Sequence, residues 1–304
     1  MGSRRSKFDV ASVGNYTKDT IVTRTGTQFA DGGGSTYSAH AAHTLGRRVI
    51  AVMRLAKEDF HVVRDLEAAG ISVRPTAAPS STLMRLEYPT DNPDERVLTV
   101  ADTAGSIEPE QLREIDAGAF IVSPSIRGEV PIETLRELRT RNALVSVDAQ
   151  GFIRVRRPDG RLEHTAWPEQ AAVLELVDIL KADVVEAEAL TGEPDIRRAA
   201  RALAKLGPRE VVITHRDGIV VLADGTMLEV PFHARSMIGR SGRGDTCVGS
   251  YVAARLEHPP EEAIRWSAAA TSLKMEAPGP IRRRIEDIVE LMQREYRKVA
   301  ITRT

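Results

Sequence analysis

The stretch Ile238-Gly239-Arg240-Ser241-Gly242-Arg243-Gly244-Asp245-Thr246-Cys247 decides how this chain is read. A glycine-rich turn leads into a carboxylate, and the carboxylate into the apolar helical pattern Cys247-Val248-Gly249-Ser250-Tyr251-Val252-Ala253-Ala254-Arg255-Leu256. A helix start presents unpaired N–H groups and a partial positive charge, which attract phosphate or an oxyanion. Gly242 and Gly244 let that backbone come close to a ligand. Asp245, at the mouth of the helix, is placed to take the proton of an alcohol attacking a phosphoryl group held by the same turn. Alone, the segment also fits a tight turn with an acid near a helix start, so the rest of the chain has to decide.

Outward from this stretch, the bulk numbers are those of an ordinary globular chain. It has 304 residues, 42 % hydrophobic and 28 % charged, enough for one large α/β domain or two smaller ones. The 42 basic and 43 acidic residues leave a formal net charge of −1, so no global field recruits nucleic acid or a membrane. Cys247 is the one cysteine, which excludes an intrachain disulfide and a thiolate metal cluster and suits a reducing cytoplasm. No apolar run approaches the ~18 residues of a membrane span, and the start lacks a secretory apolar segment. Met1 to Arg5 reads as a tail outside the fold.

The pattern predicts a strand at 8–13 ending in Gly14-Asn15, a strand or hairpin over 20–29, a break at Gly32-Gly33-Gly34 and an Ala-rich helix over 35–45 stopped by Gly46. A strand at 49–53 and a helix over 59–69 follow, then a hairpin of 82–88 and 96–100 around a turn at Asp91-Asn92-Pro93-Asp94. Beyond 119 strand and helix alternate. Strands are expected at 119–122, 144–147, 184–185, 211–214 and 219–222. Helices are expected at 132–139, 167–180, 196–206, 246–256, 260–275 and 285–299. Such alternation argues a parallel sheet with helices on both faces, whose ligands bind beyond the carboxyl ends of the strands. Gly14-Asn15, Asp148, Glu186 and Thr214 are read at or just past such ends. The β segments at about 16–30 and 82–100 break the alternation, either as an antiparallel extension of the sheet or as a lid that keeps water from a transferring phosphoryl group.

Taken together, these residues resemble the ribokinase-like (PfkB) family of carbohydrate and nucleoside kinases over most of the chain. Gly32-Gly33-Gly34-Ser35 through Ala41-Ala42-His43-Thr44-Leu45-Gly46 is similar to the family's N-terminal signature, and Ser241-Gly242-Arg243-Gly244-Asp245 to its C-terminal one. Asp183-Val184-Val185-Glu186 before Leu190-Thr191-Gly192 resembles the Asn-x-x-Glu motif, and Ile213-Thr214-His215-Arg216-Asp217-Gly218 the nucleotide strand. The resemblance implies an α/β fold in a single domain over 1–304: a Rossmann-like, mostly parallel central sheet flanked by helices, with a small β-sheet lid. It implies transfer of the γ-phosphoryl of ATP to an alcohol, with Asp245 as base and residues 242–245 as anion hole. Glu186 would organise Mg²⁺ through water, with Asp183, Thr214 and Gly218 on the nucleotide side; Asp19, Gly33 and Gly34 would bind substrate hydroxyls. A monovalent cation near Met275-Glu276-Ala277-Pro278-Gly279 and a homodimer through the lid are left open.

Val147-Asp148-Ala149-Gln150-Gly151-Phe152-Ile153-Arg154 and Gly32 to Ala39 look like the myo-inositol kinase branch. A polyol offers only hydroxyls, so carboxylate and amide partners such as Asp148 and Gln150 suit it, unless those two sit nearer the phosphates. Arg243 stands where a small residue is usual, and either adds positive charge to the transferring phosphoryl or points to solvent. Asp183 replaces the usual Asn, and His215 a common glycine. These departures are the support for a competing reading, a non-catalytic ligand sensor that keeps the fold. Another sugar or a nucleoside is the alternative acceptor, though only 4 % aromatic content weakens base stacking. A P-loop kinase and a dinucleotide oxidoreductase lack their glycine motifs.

Overall fold

The structure, a computed structural model, describes residues 7–90, 97–239 and 241–297. Strand β1 (Phe8–Val13) shows why the sheet has two covered faces: Val10 belongs to one core cluster, whereas Ala11 and Val13 belong to the other. Alternate residues thus point to opposite sides, and both sides are apolar. The same alternation runs through β4 (Val49–Ala56), where Ala51 and Met53 face one core and Ile50 and Val52 the other. Helices Gly34–Thr44, Arg243–Arg255 and Pro260–Met275 cover the first face, through Ala39, Val248 and Ala269 among others. Helices Ile132–Arg139 and Ile196–Ala204 cover the second through Leu135, Leu138, Ala199 and Leu203.

Two strand pairs form a small separate sheet: β2 (Thr17–Thr23) with β3 (Gly26–Gly32), and β6 (Thr82–Glu87) with β7 (Val97–Asp102). They join in the order β3-β2-β6-β7, antiparallel within each pair and parallel between β2 and β6. Met84, Leu86 and Val100 of this sheet form a small core of their own with Ile126. A short hairpin, β10 (Arg154–Arg156) with β11 (Leu162–His164), is stitched to β7 by Arg156 Nε donating to Val100 O at 2.8 Å.

The remaining strands are β5 (Ser72–Ala78), β8 (Ala117–Val122), β9 (Leu144–Asp148), β12 (Ile179–Asp183), β13 (Glu210–Thr214), β14 (Gly218–Ala223) and β15 (Thr226–Pro231). Among the described residues the main sheet runs β15-β14-β13-β12-β9-β8-β1-β4-β5, parallel except at β13-β14 and β14-β15. From β1 the chain winds outward through β4 and β5, then returns to β8 and winds the other way. The order therefore reverses between β1 and β8, and that reversal opens a crevice at their carboxyl ends.

Several segments differ from the sequence reading. The helix expected over 167–180 is confined to Gln170–Leu174, and its tail is strand β12. Val184-Val185, read as a strand for its β-branched side chains, opens the helix Val184–Thr191 instead. A capping box decides it: Asp183 accepts from Glu186 N at 2.8 Å while Asp183 N donates to Glu186 Oε2 at 2.7 Å. Strands β5, β10, β11 and β15 were not expected. The turn at 91–94, Arg96, Arg240 and the end of the last helix beyond 297 lie outside the described residues.

Candidate active site

The crevice begins with Gly14 and Asn15 after β1 and Ser123 after β8. Glu129 holds the two loops together: its carboxylate accepts Asn15 N at 2.5 Å and Ser125 N at 2.9 Å. Burial pushes this carboxyl up to about 7, against the pull of backbone N–H groups of Asn15, Ser125 and Ile126. Asn15 adds a second brace, donating from Nδ2 to Gly105 O at 2.7 Å and accepting from Arg54 N at 3.1 Å. Nothing in the sequence around residue 129 signals a partner more than a hundred positions away.

One wall is the glycine run that closes β3 and opens the helix Gly34–Thr44. Gly33, at φ +103, makes the bend that L side chains resist. The direction a Cβ would take from Gly32 is filled by the carboxylate of Asp19, and from Gly34 by Asp245 Oδ1, 2.6 Å from that point. Two residues from opposite ends of the chain are thereby set side by side along one backbone. Oδ1 of Asp19, Oδ1 of Asp245, Thr36 Oγ1 and Ser123 Oγ are buried with no hydrogen-bond partner among the described residues. Such a group of orphaned acceptors and hydroxyls is costly unless a polar ligand satisfies it.

Asp31, which the sequence did not single out, completes this wall. It accepts from Tyr16 Oη at 2.6 Å and stands 3.5 Å from His61. Burial pushes the Asp19 carboxyl up to about 7; the Thr17 hydroxyl opposes this, and the charges of Asp31 and Asp245 add to it. A hydroxyl donates more strongly to the ionised form of such a group than to the protonated one. The acceptor kcat/KM is accordingly expected to fall as pH drops through about 7, and Asp19→Asn to remove that limb while raising acceptor KM about 10- to 100-fold. Initial rates across pH with both proteins check it; an unchanged acceptor KM in Asp19→Asn removes Asp19 from the substrate wall.

Asp245 is the third residue of the helix Arg243–Arg255, whose N-cap Gly242 takes φ +75. In that first turn the amides of Arg243, Gly244 and Asp245 have no partner within the helix. Gly244 also lies close over a buried lysine: Lys181 Nζ is 2.8 Å from the Cβ it lacks. Lys181 pairs with Asp148 Oδ2 at 3.0 Å and Glu186 Oε2 at 3.5 Å, and Arg154 approaches Glu186 Oε1 at 3.5 Å. Burial alone would lower the lysine pKa, but Asp148, Glu186, Asp183 and Asp245 raise it, so it stays an ammonium. Burial raises the pKa of Asp245, Lys181 and Arg154 oppose that, and Glu186 adds to it. The anion turn thus has an acid that can hold a proton and, beneath it, a fixed cation.

The geometry brings most of the sequence-read positions to this one crevice. Gly33, Gly34, Asp19, Gly242, Gly244 and Asp245 lie together along the glycine run and the helix start. Asp148 joins the cation cluster rather than the hydroxyl wall, held by Lys181 and by Gln150 N, which donates to its Oδ1 at 3.0 Å. Gln150 opens the short helix Gln150–Ile153 beside it, half-buried. Asp183 ends β12 and Glu186 lies in the first turn of the helix that follows, with Thr214 at the end of β13 and Gly218 at the start of β14. Arg243 is half-buried; burial chiefly holds the His215 imidazole below its usual range, the charge of Arg243 adding to this. Sequence reasoning missed Lys181, Arg154, Glu129 and Asp31; the lysine inside Ile179-Leu180-Lys181-Ala182 was the one visible signal.

A magnesium ion fits this donor set. Glu186 Oε1 is buried without a hydrogen bond, 3.5 Å from Arg154, and Asp183 is next to it. Among the described residues no trio of His, Cys, Asp and Glu forms a cage, so Glu186 would hold the ion through water and the donor's oxygens. Bound there, it would neutralise charge on the phosphoryl donor.

A doubly wound α/β sheet, a small separate four-stranded sheet and a carboxylate in the first turn of a glycine-capped helix are the features of the ribokinase fold. The profile described as pfkB family carbohydrate kinase matches residues 8–287, and the chain belongs to that family; it is a kinase. A cytidine kinase of Thermococcus kodakarensis is 26 % identical over 273 residues, 85 % of this chain and 92 % of that protein. A pyrophosphate-dependent kinase of the ribokinase family, solved with a pyrophosphate analogue and myo-inositol, superposes with TM-score 0.86 at 30 % identity, covering 92 % of this chain and 99 % of that one. The Arabidopsis thaliana ribokinase with ribose and ATP superposes with TM-score 0.75 at 21 % identity over 94 % and 99 %, a likeness of fold. Among the described residues no helix is long and apolar enough to cross a membrane.

Proposed function

We propose that the protein transfers the terminal phosphoryl group of ATP·Mg²⁺ to a hydroxyl of a small polyol, with myo-inositol as the acceptor. The observation that carries this is Asp245 Oδ1, buried, unpartnered and set against the glycine run at Gly34. A hydroxyl lying along that run gives its proton to Asp245 as its oxygen attacks phosphorus. The bond from phosphorus to the leaving oxygen breaks, and the donor departs as ADP. Amides of Arg243 and Gly244, with Lys181 below, face the charge that builds on the transferring group. Asp19 and Asp31 along the same glycine run accept hydroxyls, which suits an acceptor with no charge of its own. The myo-inositol bound by the structural neighbour at 30 % identity supports the choice of acceptor.

Pyrophosphate as donor is a second reading with its own support. That neighbour is described as pyrophosphate-dependent, as is a sulfate complex at 31 % identity. A donor built of phosphate alone needs cations and amides, and Lys181, Arg154 and Arg243 gather beside the turn. The test crosses two donors, ATP·Mg²⁺ and pyrophosphate·Mg²⁺, with myo-inositol, ribose and cytidine, following phosphorylated product directly. Inositol phosphate formed with either donor supports the acceptor and names the donor. Turnover of ribose or cytidine alone overturns the inositol reading.

A further inference from the structure

Lys274 is a buried lysine with no carboxylate paired to it among the described residues, in contrast to Lys181. It sits in the last turn of the helix Pro260–Met275, 2 % exposed, and its ammonium donates to Gly239 O at 2.6 Å. The same ammonium faces the Tyr37 ring, 5.4 Å from the centroid. That ring in turn packs into the space a Cβ on Gly242 would need. Lys274 therefore reaches the turn by two routes, directly at the Gly239 carbonyl three residues before Gly242, and indirectly through the Tyr37 ring packed against Gly242. Gly239 N donates to Met275 O at 2.8 Å, so this loop is laced to the end of the lysine's own helix.

A carbonyl oxygen and an aromatic face are ligands for a cation, and a buried charge without a counter-ion is expensive to keep. We infer that Lys274 is a positioning residue of the phosphoryl-transfer centre, pinning the loop into the 241–245 turn and serving as its tethered monovalent cation. The turn then needs no diffusible cation from solution. Burial brings the Lys274 pKa down to about 8, with Asp245 opposing. Tyr37 faces it from its own helix, and Arg282 and Arg283 stand nearby on the following loop. Those arginines line a cavity of about 210 Å³ that Lys274 also borders. Truncating the side chain would open this cavity onto the carbonyl of Gly239.

The inference rests on the turn binding the donor, and its test separates the two. Calorimetry of ATP·Mg²⁺ and of pyrophosphate·Mg²⁺ on the full chain reads the turn whatever the acceptor; kinase assays then read the rate. Wild type should bind and turn over equally in potassium and in tetramethylammonium buffers. Lys274→Met should lose about 10- to 100-fold in donor affinity or kcat, with acceptor KM little moved. Lys274→Ala should regain activity with potassium or methylammonium, and Lys274→Arg should keep it while abolishing the decline of the wild type above about pH 8. Wild type that requires added potassium overturns the inference, as does a folded Lys274→Met with wild-type affinity and rate. Failure of wild type to bind either donor overturns the functional reading on which the inference depends.

Discussion

Asp245→Asn is expected to lower kcat about 1,000-fold while donor affinity stays level or improves. Asn keeps the shape of the side chain and its place beside Gly34, so the turn and the glycine run are undisturbed. What it removes is the proton acceptor. It also removes a negative charge next to a polyanionic donor, so binding has no reason to weaken. The pH profile gives the second readout. Burial raises the pKa of Asp245, opposed by Lys181 and Arg154, so the wild type should lose kcat as pH falls through that raised value. In Asp245→Asn that limb should vanish, because the residual rate no longer depends on an ionised base. Single-turnover rates with calorimetry of the donor check both. A variant with wild-type kcat would take Asp245 out of the proton transfer, whatever its place in the crevice.

The parts legible in the sequence are those whose chemistry is local. Gly242 to Asp245 carry their turn, amides and carboxylate within four residues, so the segment announces itself. Asp183 and Glu186 are paired by a capping box three residues apart, although the helix they open was misread through Val184-Val185. The cations were illegible because their reasons lie far away in the chain. Lys181 makes sense only beside Asp148, 33 positions earlier, and beneath Gly244. Glu129 is explained by Asn15, 114 positions away, and Lys274 by Gly239. A helix ending at 180 and a strand starting at 179 share the same apolar residues, and only the register against β9 and β13 decides between them.

Lys181→Met should be the most damaging single change outside the base. Met fills the space but leaves Asp148 and Glu186 buried with Arg154 as their remaining cation. Breaking a buried ion pair on one side costs about 3–5 kcal/mol, which lowers Tm by roughly 10 °C for a domain of this size. The rate should suffer separately. With its nearest cation gone, Asp245 should hold its proton more tightly, and the acid limb of kcat should move to higher pH. The double variant Lys181→Met with Asp148→Asn separates the two effects. Removing both charges should restore much of the stability, since no carboxylate at 148 is left unpaired. It should not restore the rate, because the positive charge beneath Gly244 is still absent when negative charge builds on the transferring group. Thermal melts and kcat–pH profiles of the three proteins read this directly. Lys181→Met that melts with the wild type and keeps its acid limb would mean that the lysine neither balances Asp148 nor acts on the base.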